Sequence, residues 1–248
     1  MAAPLLIFDF DGVIVDGMAE YWWAARQSVL ELAPEVCPPE TIPRGFQLLR
    51  PLIHKGWEMV LIAAELSRPD SGLPALLKSY EAALPLALAR WGWDAELLQS
   101  TLERVRRQTI ATDRAGWLAM HHFYPGVPGR LQALGAEGTD WLVLTTKGGD
   151  FAQELLAAAA LAPLTVFGHE QGSKPEVLSR LIDDGRELWF VEDRRPTLEL
   201  VRTTPGLEDV RCFLASWGYL GPGDRDNLPA GIRLLEPQRF AAPLADWP

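Results

Sequence analysis

Five short apolar runs punctuate the chain: Leu5 to Phe10, Trp141 to Leu144, Leu164 to Phe167, Leu188 to Val191 and Val210 to Ala215. Each has the length of a strand rather than of a helix. Runs that are apolar without alternation mark strands covered on both faces, the habit of parallel sheets. Helical periodicity fills the intervals, over Val127 to Leu134, Asp150 to Leu161, Pro175 to Ile182 and Pro196 to Arg202. Strands alternating with helices predict an α/β fold built on a Rossmann-like parallel sheet. Ligands of such sheets bind beyond the carboxyl ends of the strands, so the residues that follow each run are where chemistry is to be sought.

The stretch between the first and second runs behaves differently. Long helical patterns at Glu58 to Leu66, Ala75 to Trp91 and Asp94 to Thr109 come with no alternating strand. Breakers at Pro38-Pro39, Pro43, Pro69 to Gly72 and Gly92 divide it into four or five helices. The expected organisation is an α/β core of residues 1–16 and 123–248, with an all-helical insert over 17–122. Trp22, Trp23, Trp57, Trp91, Trp93 and Trp117 all fall in that insert, and at helical spacing they read as core rather than as a platform for nucleobases.

Composition removes several classes of function. With 48% hydrophobic and 23% charged residues the chain is neither disordered nor fibrous. A net charge of -10 argues against binding to nucleic acid or to anionic membranes, while leaving room for a small anion in a local positive pocket. The opening MAAPLLIFDFDG has no basic residue before its apolar run, unlike an export signal. The longest weakly polar stretch, Leu155 to Phe167, contains Pro163 and falls short of the about 20 residues a membrane helix needs. A cytoplasmic protein is expected. Cys37 and Cys212, too few for a disulfide framework, read as small buried apolar residues.

Acids and a hydroxyl gather after the apolar runs: Asp9 and Asp11 after the first, Thr145 after the second, Glu192 and Asp193 after the fourth. In extended backbone Asp9 and Asp11 project to one face, and Gly12 permits a tight turn after them. Carboxylates held that close call for a cation. An all-oxygen set that adds Asp193, with or without Glu192, suits Mg2+ rather than zinc, and Mg2+ commonly pairs carboxylates with a substrate phosphate. Phosphoryl transfer is the chemistry this pattern points to.

The string DFDGVIVD at Asp9 to Asp16 resembles the first motif of the haloacid dehalogenase-like superfamily. VLTT ending at Thr146 is similar to the second motif, GSKPEVL around Lys174 to the third and WFVED around Asp193 to the fourth, all in the family's order. YPGV at Tyr124 to Val127 resembles the usual re-entry into the core, and the helical insert stands where the family carries a helical cap.

The resemblance implies a Mg2+-dependent phosphatase that hydrolyses a small phosphomonoester through an aspartyl-phosphate on Asp9. Asp11 would act as general acid and then base, which requires nearby negative charge and partial burial to raise its pKa. The metal would be held by the Asp9 carboxylate, the Asp11 carbonyl and Asp193. Thr145 and the Thr146 N–H would bind phosphoryl oxygens, and Lys174 would neutralise charge shared between Asp9 and the phosphoryl group. Lys147, two past Thr145, rivals Lys174, which is favoured because a loop lysine followed by proline at a helix start matches the third motif. The fourth motif departs from the common pattern: Glu192 replaces a glycine, and Thr197 stands where a second aspartate is usual. Glu192 is expected as a water-mediated or compensating ligand, or else as an exposed acid paired with Arg194 or Arg195. Asp16 is expected to cap the following helix. Arg44, Arg50, His54 and Lys55 form the notable basic cluster of the insert, and Arg50 is a candidate for binding a second anionic group of the substrate. A phosphomutase of the same chemistry, or a non-catalytic binding module on the same fold, are the alternatives; the oligomeric state is not indicated.

Overall fold

The structure, a computed structural model, describes residues 3–182 and 185–248. Its contacts divide the chain into two units: one runs through Asp16 and resumes at His122, and the other is Gly17–His121.

In the first unit β1 (Leu5–Phe8) is followed by the two-residue β2 (Val15–Asp16). The chain re-enters through β3 (His122–Phe123), antiparallel to β2 with Asp16 opposite His122. In the other unit the helices are α1 (Met18–Leu32), α2 (Arg44–Leu49), α3 (Gly56–Leu66), α4 (Leu73–Lys78), α5 (Tyr80–Trp91) and α6 (Ala95–Ala119). After β3 come α7 (Val127–Ala136), β4 (Trp141–Leu144), α8 (Gly149–Ala158), β5 (Val166–Phe167), α9 (Lys174–Ile182), β6 (Leu188–Glu192), α10 (Arg195–Thr203), β7 (Arg211–Ala215), β8 (Ile232–Leu235) and α11 (Pro237–Phe240).

One six-stranded sheet, in the order β5-β4-β1-β6-β7-β8 and parallel throughout, forms the first unit's backbone. Central β1 has Ile7 in register with Leu142 on one side and Phe190 on the other. Because strand side chains alternate, this row, with Leu5, Leu144 and Leu214, builds a largely aliphatic core around Phe190, against Val177, Leu178, Leu198 and Val201 of α9 and α10. The other face is aromatic: Phe8 packs edge-on to Trp141 and Phe240, and Trp189 lies against Phe213 and Trp247. An unbroken apolar run therefore feeds two cores at once.

Strand limits differ from expectation in three places. β1 ends at Phe8, not Phe10, because the chain bends at Phe10. The edge strand β5 starts at Val166, leaving Leu164 exposed. β8 was not anticipated, since its central Arg233 faces solvent and breaks the apolar run.

In the helical unit α1, α3 and α6 pack together. The expected helix Ala75 to Trp91 is divided at Ser79, whose backbone is extended (φ -158°, ψ 84°). The expected helix ending at Thr109 instead runs to Ala119 across a kink at Asp113, whose carboxylate accepts the Gly116 N–H at 2.9 Å. Trp22 and Trp117 are fully buried as predicted, whereas Trp91 and Trp93 stack on each other at 4.9 Å in half-buried positions. Cys212 is buried, but Cys37 is exposed, contrary to its reading as a core residue. Asp16 is not the N-cap of α1; that position is Gly17, and the Asp16 carboxylate accepts from the Tyr219 hydroxyl at 2.5 Å.

A buried ion pair stitches α1 to α6: Arg106 donates to both oxygens of Glu20 at 2.7 and 2.8 Å, and the Trp117 indole N–H adds a third bond at 3.3 Å. Removing one partner of such a pair strands the other charge in an apolar interior. Glu20→Ala is expected to destabilise the helical unit by about 3–5 kcal/mol, read as a lowered urea midpoint in circular dichroism.

Candidate active site

Three backbone turns at the carboxyl ends of β1, β4 and β6 bring the predicted residues to one end of the sheet. Asp9 directly follows β1, and its N–H is tied to the Val191 carbonyl at 2.9 Å. Its carboxylate meets Lys174 Nζ, at the first residue of α9, at 2.8 Å. The same ammonium lies 2.5 Å from Glu192 Oε2. Glu192 closes β6, and its other oxygen accepts the N–H groups of Asp193 and Arg194 at 3.1 and 3.0 Å. Arg194 and Arg195 direct their guanidinium groups to Thr197 and Glu199. The reading of Glu192 as an exposed acid paired with these arginines is thus overturned: it is 1% exposed and bound to Lys174.

Asp9, Glu192 and Asp193 are all buried, and each offers an oxygen within 4.8 Å of the others. Asp11 is not in that trio. It stands past the end of β1, with its carboxylate 3.3 Å from Lys147 Nζ and near enough to Asp9 for its charge to act on that carboxyl. A positive group, Lys147, and a negative one, Asp9, therefore both stand near Asp11. Thr145, just past β4, is buried; its hydroxyl oxygen accepts the Lys147 N–H at 3.1 Å, which leaves the hydroxyl proton to donate elsewhere. Thr146 beside it is half-buried. Arg50 belongs to the other unit, where its guanidinium lies 5.1 Å from the centre of the Tyr21 ring and Nη1 reaches the Ile53 carbonyl at 3.5 Å.

Sequence reasoning missed a clamp that follows β7. The Trp217 indole N–H donates to the Val13 carbonyl at 3.0 Å, and the Tyr219 N–H donates to Asp193 Oδ2 at 2.7 Å. Gly218 lies between them, so close that an added Cβ would stand 2.3 Å from Asp193 Cβ and 2.5 Å from the Gly12 carbonyl. Gly12, at φ +94°, leaves the same space, since its Cβ would fall 1.9 Å from Asp193 Oδ2. The signal was available: these residues follow the fifth apolar run as the acids follow the first and fourth.

Burial, reinforced by repulsion from Glu192, pushes the Asp9 carboxyl up to about 7 in the absence of a cation, although Lys174 pulls the other way. Burial would also lower Lys174, but Asp9 and Glu192 together hold its ammonium above the ordinary lysine range. Burial would likewise raise Glu192, yet Lys174 outweighs it and keeps that carboxyl below its usual value.

The donor set fits a divalent cation. Four carboxylates (Asp9, Asp11, Glu192 and Asp193) stand against two ammonium groups (Lys147 and Lys174), an excess of two negative charges when all are ionised. The Asp9, Glu192 and Asp193 oxygens are hard donors of the kind Mg2+ takes. Two glycines keep the Asp193 carboxylate uncrowded.

No family model and no curated protein matches the chain in sequence. Solved structures do. A predicted phosphoglycolate phosphatase from Haemophilus somnus superposes with a TM-score of 0.60 at 15% identity, covering 96% of this chain and 95% of that one. A haloacid dehalogenase-like family hydrolase from Streptococcus pneumoniae gives 0.56 at 13%, covering 95% of both chains. The chain has the haloacid dehalogenase-like fold. A Thermotoga maritima protein assigned as a β-phosphoglucomutase shares it, with a TM-score of 0.56 at 15% identity over 97% of each chain. Within this haloacid dehalogenase-like fold the segments that carried the sequence resemblance, at residues 9–16, 143–146, 172–178 and 189–193, all belong to the sheet-bearing unit.

Two outcomes are expected. Gly218→Ala forces Asp193 and the Gly12 turn apart, lowering stability by about 1–3 kcal/mol, read as a lowered melting temperature by calorimetry. In chelator, Asp9 is protonated in both folded and unfolded chains below pH 4; as pH rises toward 7 only the folded chain resists its ionisation, so stability falls over that window. The melting temperature of Asp9→Asn should stay flatter with pH there than that of the parent.

Proposed function

We propose that the protein is a Mg2+-dependent phosphatase acting on a small phosphomonoester, with Asp9 as nucleophile. The observation that supports it most is the meeting of Lys174 with Asp9 and Glu192 at 2.8 and 2.5 Å, with Asp193 alongside, from chain positions so far apart. One Asp9 oxygen attacks phosphorus, forming an O–P bond as the bond to the leaving alkoxide breaks, and Asp11 protonates that alkoxide. Water then attacks the aspartyl-phosphate, Asp11 takes its proton, and Asp9 is regenerated with release of inorganic phosphate. Thr145 donates its hydroxyl, and Thr146 its N–H, to phosphoryl oxygens, where such bonds strengthen as charge develops. Lys174 favours the ionised form of Asp9 against burial and holds its carboxylate in place. Asp9 and Asp193 are the carboxylates we assign to hold Mg2+, with Glu192 given over to Lys174 and contributing through water. Bound there, Mg2+ supplies charge neutralisation between nucleophile and phosphoryl group.

The helical unit is the natural place for substrate selection, and Arg50 is our candidate there for a second anionic group. The acidic chain and the absence, among the described residues, of any helix long and apolar enough to cross a membrane suit a small cytoplasmic ester as substrate. A phosphomutase is the second reading, favoured by the fold shared with the protein assigned as a β-phosphoglucomutase.

Phosphate release from p-nitrophenyl phosphate and a metabolite panel tests the proposal. Activity should require Mg2+, vanish in Asp9→Asn and fall about 10²–10⁴-fold in Asp11→Asn. No turnover above the Asp9→Asn control would sink it, and an isomeric product in place of free phosphate would select the mutase.

A further inference from the structure

The helical unit holds a cavity of about 370 Å³ between α4, α5 and the turn that leads from α3 into α4. That is the size of a small-ligand pocket. Small residues open it. Ala83 and Ala87 lie one turn apart on α5, with Leu86 beside them, 67% exposed, and Arg90 continuing the same stripe. Pro74 and Ala75 contribute from α4, which the extended backbone at Ser79 sets against α5. Where longer side chains would fill the gap, these positions carry methyl groups or a ring.

The rest of the lining is polar, and its acids are already satisfied. Glu65, only 3% exposed, accepts Arg68 Nη1 at 2.9 Å, Arg90 Nη1 at 2.9 and 2.8 Å and the Trp91 indole N–H at 2.8 Å. Asp70 is held by the other end of Arg68 at 2.6 Å. Donors, by contrast, remain. Arg90 spends only Nη1 on Glu65; its Nε and Nη2 make no hydrogen bond among the described residues, and its side chain is 45% exposed. The Ser71 hydroxyl oxygen accepts the Leu73 N–H at 3.3 Å, which leaves its proton to donate. Two guanidinium groups balance two carboxylates here, so an anion meets a neutral patch on a chain whose net charge is -10. Apolar walls with spare donors and paired acids select an anion with a hydrocarbon tail, and the planar edge of a guanidinium matches a carboxylate.

We propose that this cavity binds a small carboxylic acid with a short hydrocarbon tail, its carboxylate on the Nε and Nη2 edge of Arg90 and its tail against Ala75, Ala83 and Leu86. The site lies wholly within the helical unit and does not rest on the phosphatase reading.

Octanoate is the probe, titrated by calorimetry into the full chain with Mg2+ present, beside octanamide and octylammonium. Octanoate should bind with a Kd of about 0.1–1 mM, and the amide and the ammonium at least about 10-fold more weakly, the span of one charged hydrogen-bonded contact. Arg90→Lys keeps a positive charge for Glu65 and loses the planar edge; it should weaken octanoate by about 10-fold with little change in melting temperature. Ala83→Leu fills the cavity and leaves every charge in place, so it decides the matter even if Arg90→Lys does not fold: octanoate binding should be lost. Binding untouched by Ala83→Leu, equal binding of the three probes, or none up to about 10 mM overturns the proposal. Self-association that Ala83→Leu abolishes, with no octanoate bound by the parent, would assign the cavity to a second copy of the chain and overturn it equally.

Discussion

A single buried ammonium organises the sheet-bearing unit. Lys174 opens α9, Asp9 follows β1 and Glu192 ends β6, and the three are joined by contacts of 2.8 and 2.5 Å. Taking three charges out of water is costly, and only close geometry with further hydrogen bonds offsets the cost. Glu192 has those bonds, from the N–H groups of Asp193 and Arg194. The same two bonds shape the turn from β6 into α10 that carries Asp193, so the electrostatic lock and the placement of the next acid are one arrangement.

Much of the architecture was legible because it comes from local pattern. Apolar runs of four or five residues located β1, β4, β6 and β7, and periodicity located α7 to α10 within a few residues. What pattern could not supply is pairing. β2 and β3 have two residues each and exist only through one another. β8 carries an exposed arginine and is recognised by its neighbour β7, not by its own composition. In the helical unit, α6 continues past Thr109 because Trp117 is buried and bonded to Glu20, a reward invisible to propensity.

The candidate site divides in the same way. Acids, threonine and lysine at strand ends were readable from position, and the chemistry that such residue types suit followed. The partition of two lysines between two sets of carboxylates was not, because it depends on where the chain bends after Phe8. Nor was the clamp of Trp217, Gly218 and Tyr219, whose effect arises from one backbone lying against another with no room for a methyl group.

The two-residue ribbon of β2 and β3 has an evolutionary implication. Asp16 and His122 face each other as cross-strand partners, so the whole excursion from Gly17 to His121 departs from and returns to one point on the ribbon. An antiparallel pair closes with a turn of only a couple of residues. The helical segment is therefore exchangeable in principle at the level of the gene: it can be lengthened, replaced or deleted between those two positions while every ladder of the parallel sheet keeps its partners.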